Sequence, residues 1–343
     1  MKNPCVAIFV CFIFLGACTQ ENKNTFEDIK IKNALCQNIT LQQMDMHYLL
    51  GNPSKLCIKD SLLFISDFIK GKFITVYNLA NEDSLFSTLH EGRGPIDVSF
   101  SENNLVVLDR QKAVFRHFSL DLSSENPLLC TARIQLPFGT DRGIYLSRDS
   151  SYFVGGFFQD GLLKHYNSKG DEIASYNPCA DFIKTISDPS MRYRLGQSHI
   201  ATIQDKLVLA SSFTGEIRFF DIKSDSLYQY KYYTINRKEI FDKIRQRVSK
   251  SDFQIYQSDI VGIKSIYTTN NHVYIAFNNN TIANRAADDN NYLLKFNRKG
   301  DLIKIYETDR RFLCMAITPD DHDLYTVILN DKQEAIIART NLD

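Results

Sequence analysis

The residue types most able to do chemistry in this sequence are cations that recur at regular places. Arg93, Arg142, Arg192 with Arg194, Lys264, and Arg310 with Arg311 fall at five successive junctions between β-branched, aromatic-rich runs. Brought together, such groups hold a carboxylate, a phosphate or an acidic glycan, because guanidinium groups donate bidentate hydrogen bonds to oxyanions. The alternative is solvated loop charges partly paired with Asp97, Asp141 and Asp309, each pair stabilising by only about 0–1 kcal/mol. Asp67 and Asp109 close two of the apolar runs, and two such carboxylates with water form part of a divalent-cation site. The sequence nominates no third or fourth oxygen ligand. The loop 278–291 carries Asp288, Asp289, Asn290 and Asn291, oxygen ligands suited to calcium, but without the spacing of an EF-hand loop. No G-x-S-x-G, H-E-x-x-H or phosphate-loop pattern occurs, and the histidines at 47, 90, 117, 165, 199, 272 and 322 are dispersed. No catalytic residue, metal or cofactor is therefore assigned.

Composition narrows the function classes. The 343 residues hold 40 Lys+Arg against 40 Asp+Glu, with 44% hydrophobic residues and no tryptophan. A net charge of zero gives no basic field for nucleic acid. The balance of 23% charged residues with 15 Gly and 8 Pro is that of a globular protein rather than a disordered or collagenous one.

The N-terminus reads as an address. Lys2 precedes an apolar run from Cys5 to Ala17, too short to span a bilayer but suited to the h-region of a signal peptide. It closes with Leu15-Gly16-Ala17-Cys18, which resembles a bacterial lipobox, where cleavage precedes a cysteine that is then acylated. Residues 1–17 are thus expected to be a signal peptide, Cys18 the lipidated residue and 18–25 a polar tether; an ordinary secretory signal is the alternative. Thr19 follows in place of Asp, which by resemblance to Gram-negative lipoproteins favours the outer membrane. Beyond Cys18 an odd set remains at 36, 57, 130, 179 and 314, with neither zinc-ligand spacing nor a disulfide framework, so buried thiols are expected.

The body repeats. Tyr166-Asn167-Ser168-Lys169-Gly170-Asp171 matches Phe296-Asn297-Arg298-Lys299-Gly300-Asp301, each a strand, a turn whose glycine takes positive φ, and a return strand. Six apolar runs recur, at Leu62–Ser66, Leu105–Leu108, Tyr152–Val154, Leu207–Ala210, Val273–Phe277 and Leu324–Leu329, starting 43, 47, 55, 66 and 51 residues apart. That spacing is blade-sized. Each unit reads as four antiparallel strands, A to D, that can bury both faces only against neighbouring units. Over 26–343 the sequence predicts an all-β, six-bladed β-propeller with four-stranded antiparallel blades. The last unit runs out after its third strand, so an N-terminal segment, Ile29–Ile31 or Ile39–Leu41, is expected to close the ring. A β-sandwich followed by a second β domain is the competing architecture. A small helical insertion is predicted over 236–250 from Ile240, Phe241, Ile244 and Val248, with Asn236 as N-cap and Glu239 completing a capping box. A short helical turn in 178–196 is expected to end at Pro189.

The lipobox, the six units and the stretch Gly92-Arg93-Gly94-Pro95-Ile96-Asp97 together resemble the TolB-like six-bladed propeller lipoproteins of Gram-negative bacteria. These often carry G-x-G-P after the first blade; Ile96-Asp97 departs from the usual Gly-Glu continuation. The resemblance implies a fold and an anchor in the cell envelope, and no chemistry. Gly92, Gly94 and Pro95 also read simply as turn residues. B–C hairpins and D–A crossovers share one rim, so Arg93, Arg142, Arg194, Lys264 and Arg311, with Asp67 and Asp109, are the ligand-binding candidates. The expected function is an envelope-anchored, non-catalytic binding or scaffold propeller for a protein or an anionic ligand. The alternative is a metal-dependent hydrolase or lactonase at the channel mouth.

Overall fold

The chain was analysed as a computed structural model, which describes residues 25–343 apart from 45–49, 70–71, 81–82, 90–94, 102, 125–126 and 224–225. Every one of the six apolar runs becomes strand B of a blade, for example Asn104–Asp109 in blade two and Lys206–Ser211 in blade four. These strands are buried on both faces, which is why they read as continuous runs rather than alternating ones. The sheets number six, each with antiparallel strands in the order A-B-C-D. Blade two shows the pattern in Pro95–Ser101, Asn104–Asp109, Val114–Leu120 and Leu128–Gln135.

The A strands are Lys55–Lys59, Pro95–Ser101, Thr140–Tyr145, Ser198–Ile203, Ile260–Thr268 and Phe312–Ile317. Each touches the next, and the last returns to the first, so they ring a central axis. The buried apolar side chains fall into six clusters, one at each interface between neighbouring blades. The interface that shuts the ring packs Cys314, Ala316, Val327 and Ile337 of blade six on Leu56, Leu63 and Ile65 of blade one.

Three N-terminal strands strap the outside: β1 (Thr25–Ile29), β2 (Gln37–Ile39) and β3 (Gln42–Gln43). β1 runs parallel to strand D of blade four, Ser226–Ile235, and β2 parallel to strand D of blade five, Leu302–Thr308. Blade six has only three strands of its own, and its fourth is β3, antiparallel to Ala335–Asn341. The N-terminus thus closes the ring. The closing residues are 42–43, one step past the second expected segment; neither expected segment supplies the closing strand, since Ile29 ends β1 on blade four, Ile31 begins a short 3-10 turn and Ile39 ends β2 on blade five.

The matched hairpin turns are built alike. Gly170 and Gly300 take φ +87° and +75°, and Asn167 and Asn297 each accept backbone N–H bonds from the residues two and four positions on.

The helices differ from expectation in their ends. Among the described residues there are three, α1 (Asp181–Lys184), α2 (Pro189–Gly196) and α3 (Phe241–Val248), all in D–A crossovers. Pro189 begins α2 rather than ending a helix, since its missing N–H is no loss at the first position, and Asp188 caps it by accepting from Ser190 N–H. Asn236 is not an N-cap. It sits at φ +45°, its side chain accepts the Ile31 N–H at 3.1 Å and donates to Asn279, and α3 starts five residues later. The capping box is sacrificed to hold the N-terminal strap. Ile240, Phe241, Ile244 and Val248 do form the buried face of α3. No described helix is long and apolar enough to cross a membrane. Cys57, Cys179 and Cys314 are buried, Cys36 and Cys130 partly exposed, and all five are free thiols. Burial pushes the Cys179 and Cys314 thiols up to about 12.

Candidate functional site: the channel mouth

Because strand A of each blade descends from the D–A rim, its first residues line the mouth of the channel. Arg142 in blade three, His199 in blade four and Lys264 in blade five occupy such positions. With Arg194 from α2 and Arg285 from the B–C loop of blade five they line one cavity of about 480 Å³. The rest of its lining is five apolar side chains, Phe213, Ile255, Val261, Ile263 and Ile282, with the uncharged polar residues Gln197 and Ser212. Among the described residues no Asp or Glu lines it. The size suits a small ligand.

Electrostatics at this mouth are one-signed. Lys264 reaches open lumen yet is surrounded by protein, and burial followed by repulsion from Arg311, Arg142 and Arg285 lowers its pKa. Arg142 places Nη1 3.2 Å from His199 Nδ1. Burial, then the positive charges of Arg142, Lys55 and Lys264, drives the His199 pKa well below the ordinary value, so the ring is neutral. The carboxylate of Asp141, outside the lining, is shared: Arg110 Nη1 lies 2.9 Å away, Tyr193 donates its hydroxyl at 2.9 Å, and Arg142 Nε forms a longer ion pair with it at 3.7 Å. Further along the same strands lies a second cavity of about 270 Å³. There the charges are balanced, Lys55 facing Asp97 at 3.6 Å.

The structure brings three of the sequence candidates together, Arg142, Arg194 and Lys264. Arg311 stands beside them: its guanidinium donates to the Arg285 carbonyl at 2.8 Å and its field reaches Lys264. Arg192 points away and ties the carbonyls of Phe158 and Gln159 to α2. Gly92, Arg93 and Gly94 lie outside the described residues; Pro95 opens strand A of blade two.

The acidic candidates are occupied by the chain itself. Asp67 is buried and accepts the backbone N–H groups of Gly51 and Asn52 at 2.6–3.1 Å. Asp109, fully buried, accepts the Lys112 N–H and faces Arg116 Nη2 at 3.3 Å. These carboxylates fasten turns and a strand. The loop 278–291 is also closed on itself, since the carbonyls of Asp288 and Asp289 accept from Asn291 and that of Asp289 also from Asn280. Among the described residues no group of three or more Asp, Glu, His and Cys is placed to hold a metal.

Sequence reasoning missed His199, Arg285 and the apolar wall. His199 was legible in principle: it stands one residue into its A strand, where alternation turns every second side chain to the channel. Arg285 comes from a long loop whose course no local pattern encodes.

The folds of known proteins agree with this architecture. A putative exported protein from Bacteroides fragilis superposes with TM-score 0.60 at 12% identity, covering 92% of this chain and 99% of its own. A luciferin-regenerating enzyme gives 0.53 at 10% identity, covering 88% and 95%. The Cps50 (Swd1) β-propeller domain from Myceliophteria thermophila gives 0.52 at 11%, covering 87% and 99%. At such identities the likeness is one of fold. No curated protein matches the chain in sequence. Residues 25–320, which run from β1 through strand A of blade six and include the cation-lined mouth, match the family described as TolB-like 6-blade propeller-like, and the chain belongs to that family.

Proposed function

We propose that this propeller is an envelope lipoprotein without chemistry of its own, whose channel mouth binds an anionic ligand. One observation carries the reading: Arg142, Arg194, Lys264 and Arg285 line a single cavity with no carboxylate among its described residues. Asp141 offsets Arg142 in part from outside the lining, but the remaining cations repel one another, and a bound oxyanion relieves that repulsion. Cations that serve only solubility would be interspersed with acids, as Lys55 is with Asp97 in the deeper cavity.

The lipobox-like segment ending in Cys18 supports lipid anchoring, and the exported Bacteroides fragilis protein of the same fold is consistent with passage across the inner membrane. β1 runs from the level of Lys231 up toward Ile235, that is, toward the rim bearing the mouth. β1 therefore begins on the side of the ring opposite the mouth.

Calorimetric titration of the mature protein with pyrophosphate at low salt tests the anion site. Wild type should bind, and Arg142→Ala with Lys264→Ala should weaken binding at least tenfold. Equal affinities would discard the mouth as the site. Cys18→Ser should release the protein from the membrane fraction; continued membrane association would reject the anchor.

A further inference from the structure

The cations occupy only part of the mouth cavity, and the remaining wall says more about what enters. Phe213 from the B–C hairpin of blade four faces the same space as Ile255, Val261, Ile263 and Ile282. Phe213 is only half-buried against the core, so part of its ring is left without an apolar partner. Binding an inorganic anion would leave this surface wet. Apolar area removed from water is favourable in proportion to its extent, so a ligand with an apolar body gains where a bare oxyanion does not.

The charge count sets the other end of the ligand. Three guanidinium groups and the Lys264 ammonium line the cavity, His199 beside them is neutral, and Arg311 adds a further positive charge nearby. A single carboxylate neutralises one of these and leaves the rest repelling. A doubly charged head with several acceptor oxygens can serve two guanidinium groups and the ammonium together.

From these two walls we propose that the mouth takes a small amphiphilic dianion, of the class of a phosphate monoester on an apolar or aromatic body. The proposal rests on the anion-binding reading above and adds the apolar half of the ligand. In a cavity of about 480 Å³ such a molecule fits with its head toward Arg142 and Lys264 and its body against Phe213 and Ile282.

Phenyl phosphate, inorganic phosphate and phenol, titrated calorimetrically at one pH and one salt concentration, separate the two contributions. Phenyl phosphate should bind at least tenfold tighter than inorganic phosphate, and phenol should give no measurable heat of binding. Phe213→Ala and, separately, Ile282→Ala should erase most of the phenyl phosphate advantage while leaving inorganic phosphate unchanged. Circular dichroism melts identify any variant that merely unfolds, and the two variants touch different elements. Equal affinity for phenyl and inorganic phosphate would overturn the amphiphile and leave the anion site standing. No binding of either phosphate would overturn both. Phenyl phosphate binding that survives Arg142→Ala with Lys264→Ala would place it elsewhere and overturn the proposal.

Discussion

Arg142 Nη1 approaches His199 Nδ1 to 3.2 Å, joining the A strands of blades three and four across the channel mouth. A guanidinium only donates, so Nδ1 must offer its lone pair and the ring must be neutral. This one contact fixes the tautomer of His199 and engages one Arg142 N–H.

It also makes stability depend on pH. His199 has a folded-state pKa below the ordinary 6.5, so the unfolded chain takes up its proton first as pH falls. The contribution is full above about pH 6.5 and is lost progressively below it, at up to about 1.4 kcal/mol per pH unit for one proton. Urea midpoints between pH 7.5 and 5.5 should fall, and His199→Gln should flatten the slope. A slope unchanged by that substitution would show that His199 is not the group responsible.

Asp321 latches blade five to blade six on the opposite rim. Its carboxylate accepts from Thr269 Oγ1 at 2.6 Å and Tyr274 Oη at 2.9 Å, and His272 Nδ1 stands 2.9 Å away. Although burial alone would raise its pKa, these donors together hold it below the ordinary carboxylate range. Its stabilisation is therefore present at neutral pH and lost as pH falls through the acid range. Asp321→Ala, which orphans the buried Tyr274 hydroxyl, should cost about 2–4 kcal/mol in urea unfolding. Loss of less than about 0.5 kcal/mol, the usual range for surface changes, would deny the latch.

Gly262 shapes the mouth from within strand A of blade five. It takes φ +83°, and a Cβ there would stand 2.2 Å from the Ser212 carbonyl oxygen. Backbone strain and a backbone clash add, so Gly262→Ala should destabilise by about 2–4 kcal/mol. Because Val261, Ile263 and Lys264 flank it in the cavity wall, pyrophosphate affinity should fall in the same variant. A variant as stable as wild type would contradict the geometry.

The N-terminal strap offers a test of ring closure. A chain starting at residue 34 keeps β2 and β3, whereas one starting at 44 leaves blade six with three strands and an open edge. The longer loss also removes the burial of Ile39 and Leu41, each worth about 1.5–3 kcal/mol. The chain starting at 44 should unfold at clearly lower urea and be cleaved first within 312–341 in limited proteolysis. Equal midpoints for the two chains would refute closure by β3.

What the sequence revealed and what it hid have physical reasons. Strand B of every blade was legible because a strand buried on both faces must be apolar throughout, as in Leu207–Ala210. The hairpin turns were legible because Asn167-x-x-Gly170 and Asn297-x-x-Gly300 carry their own hydrogen bonds. Asn236 misled because a local cap and a contact with Ile31, 205 positions away, compete for one side chain, and the distant contact wins. Arg142, Arg194 and Lys264 were visible as cations at the D–A junctions, although Arg142 and Lys264 stand within strand A and only Arg194 precedes it; that Arg192 turns aside to bond carbonyls depends on the path of α2. The apolar wall was hidden because Phe213, Ile255 and Ile282 come from loops of two blades and a crossover, without shared periodicity.

The central claim is a place where negative charge should collect. Crystals of the mature protein soaked in tungstate, a divalent oxyanion with strong anomalous scattering, locate that place directly. The account predicts an anomalous peak within hydrogen-bond distance of Arg142 and Lys264 in the channel mouth. Peaks confined to the outer faces of the blades, with none between those two residues, would contradict it.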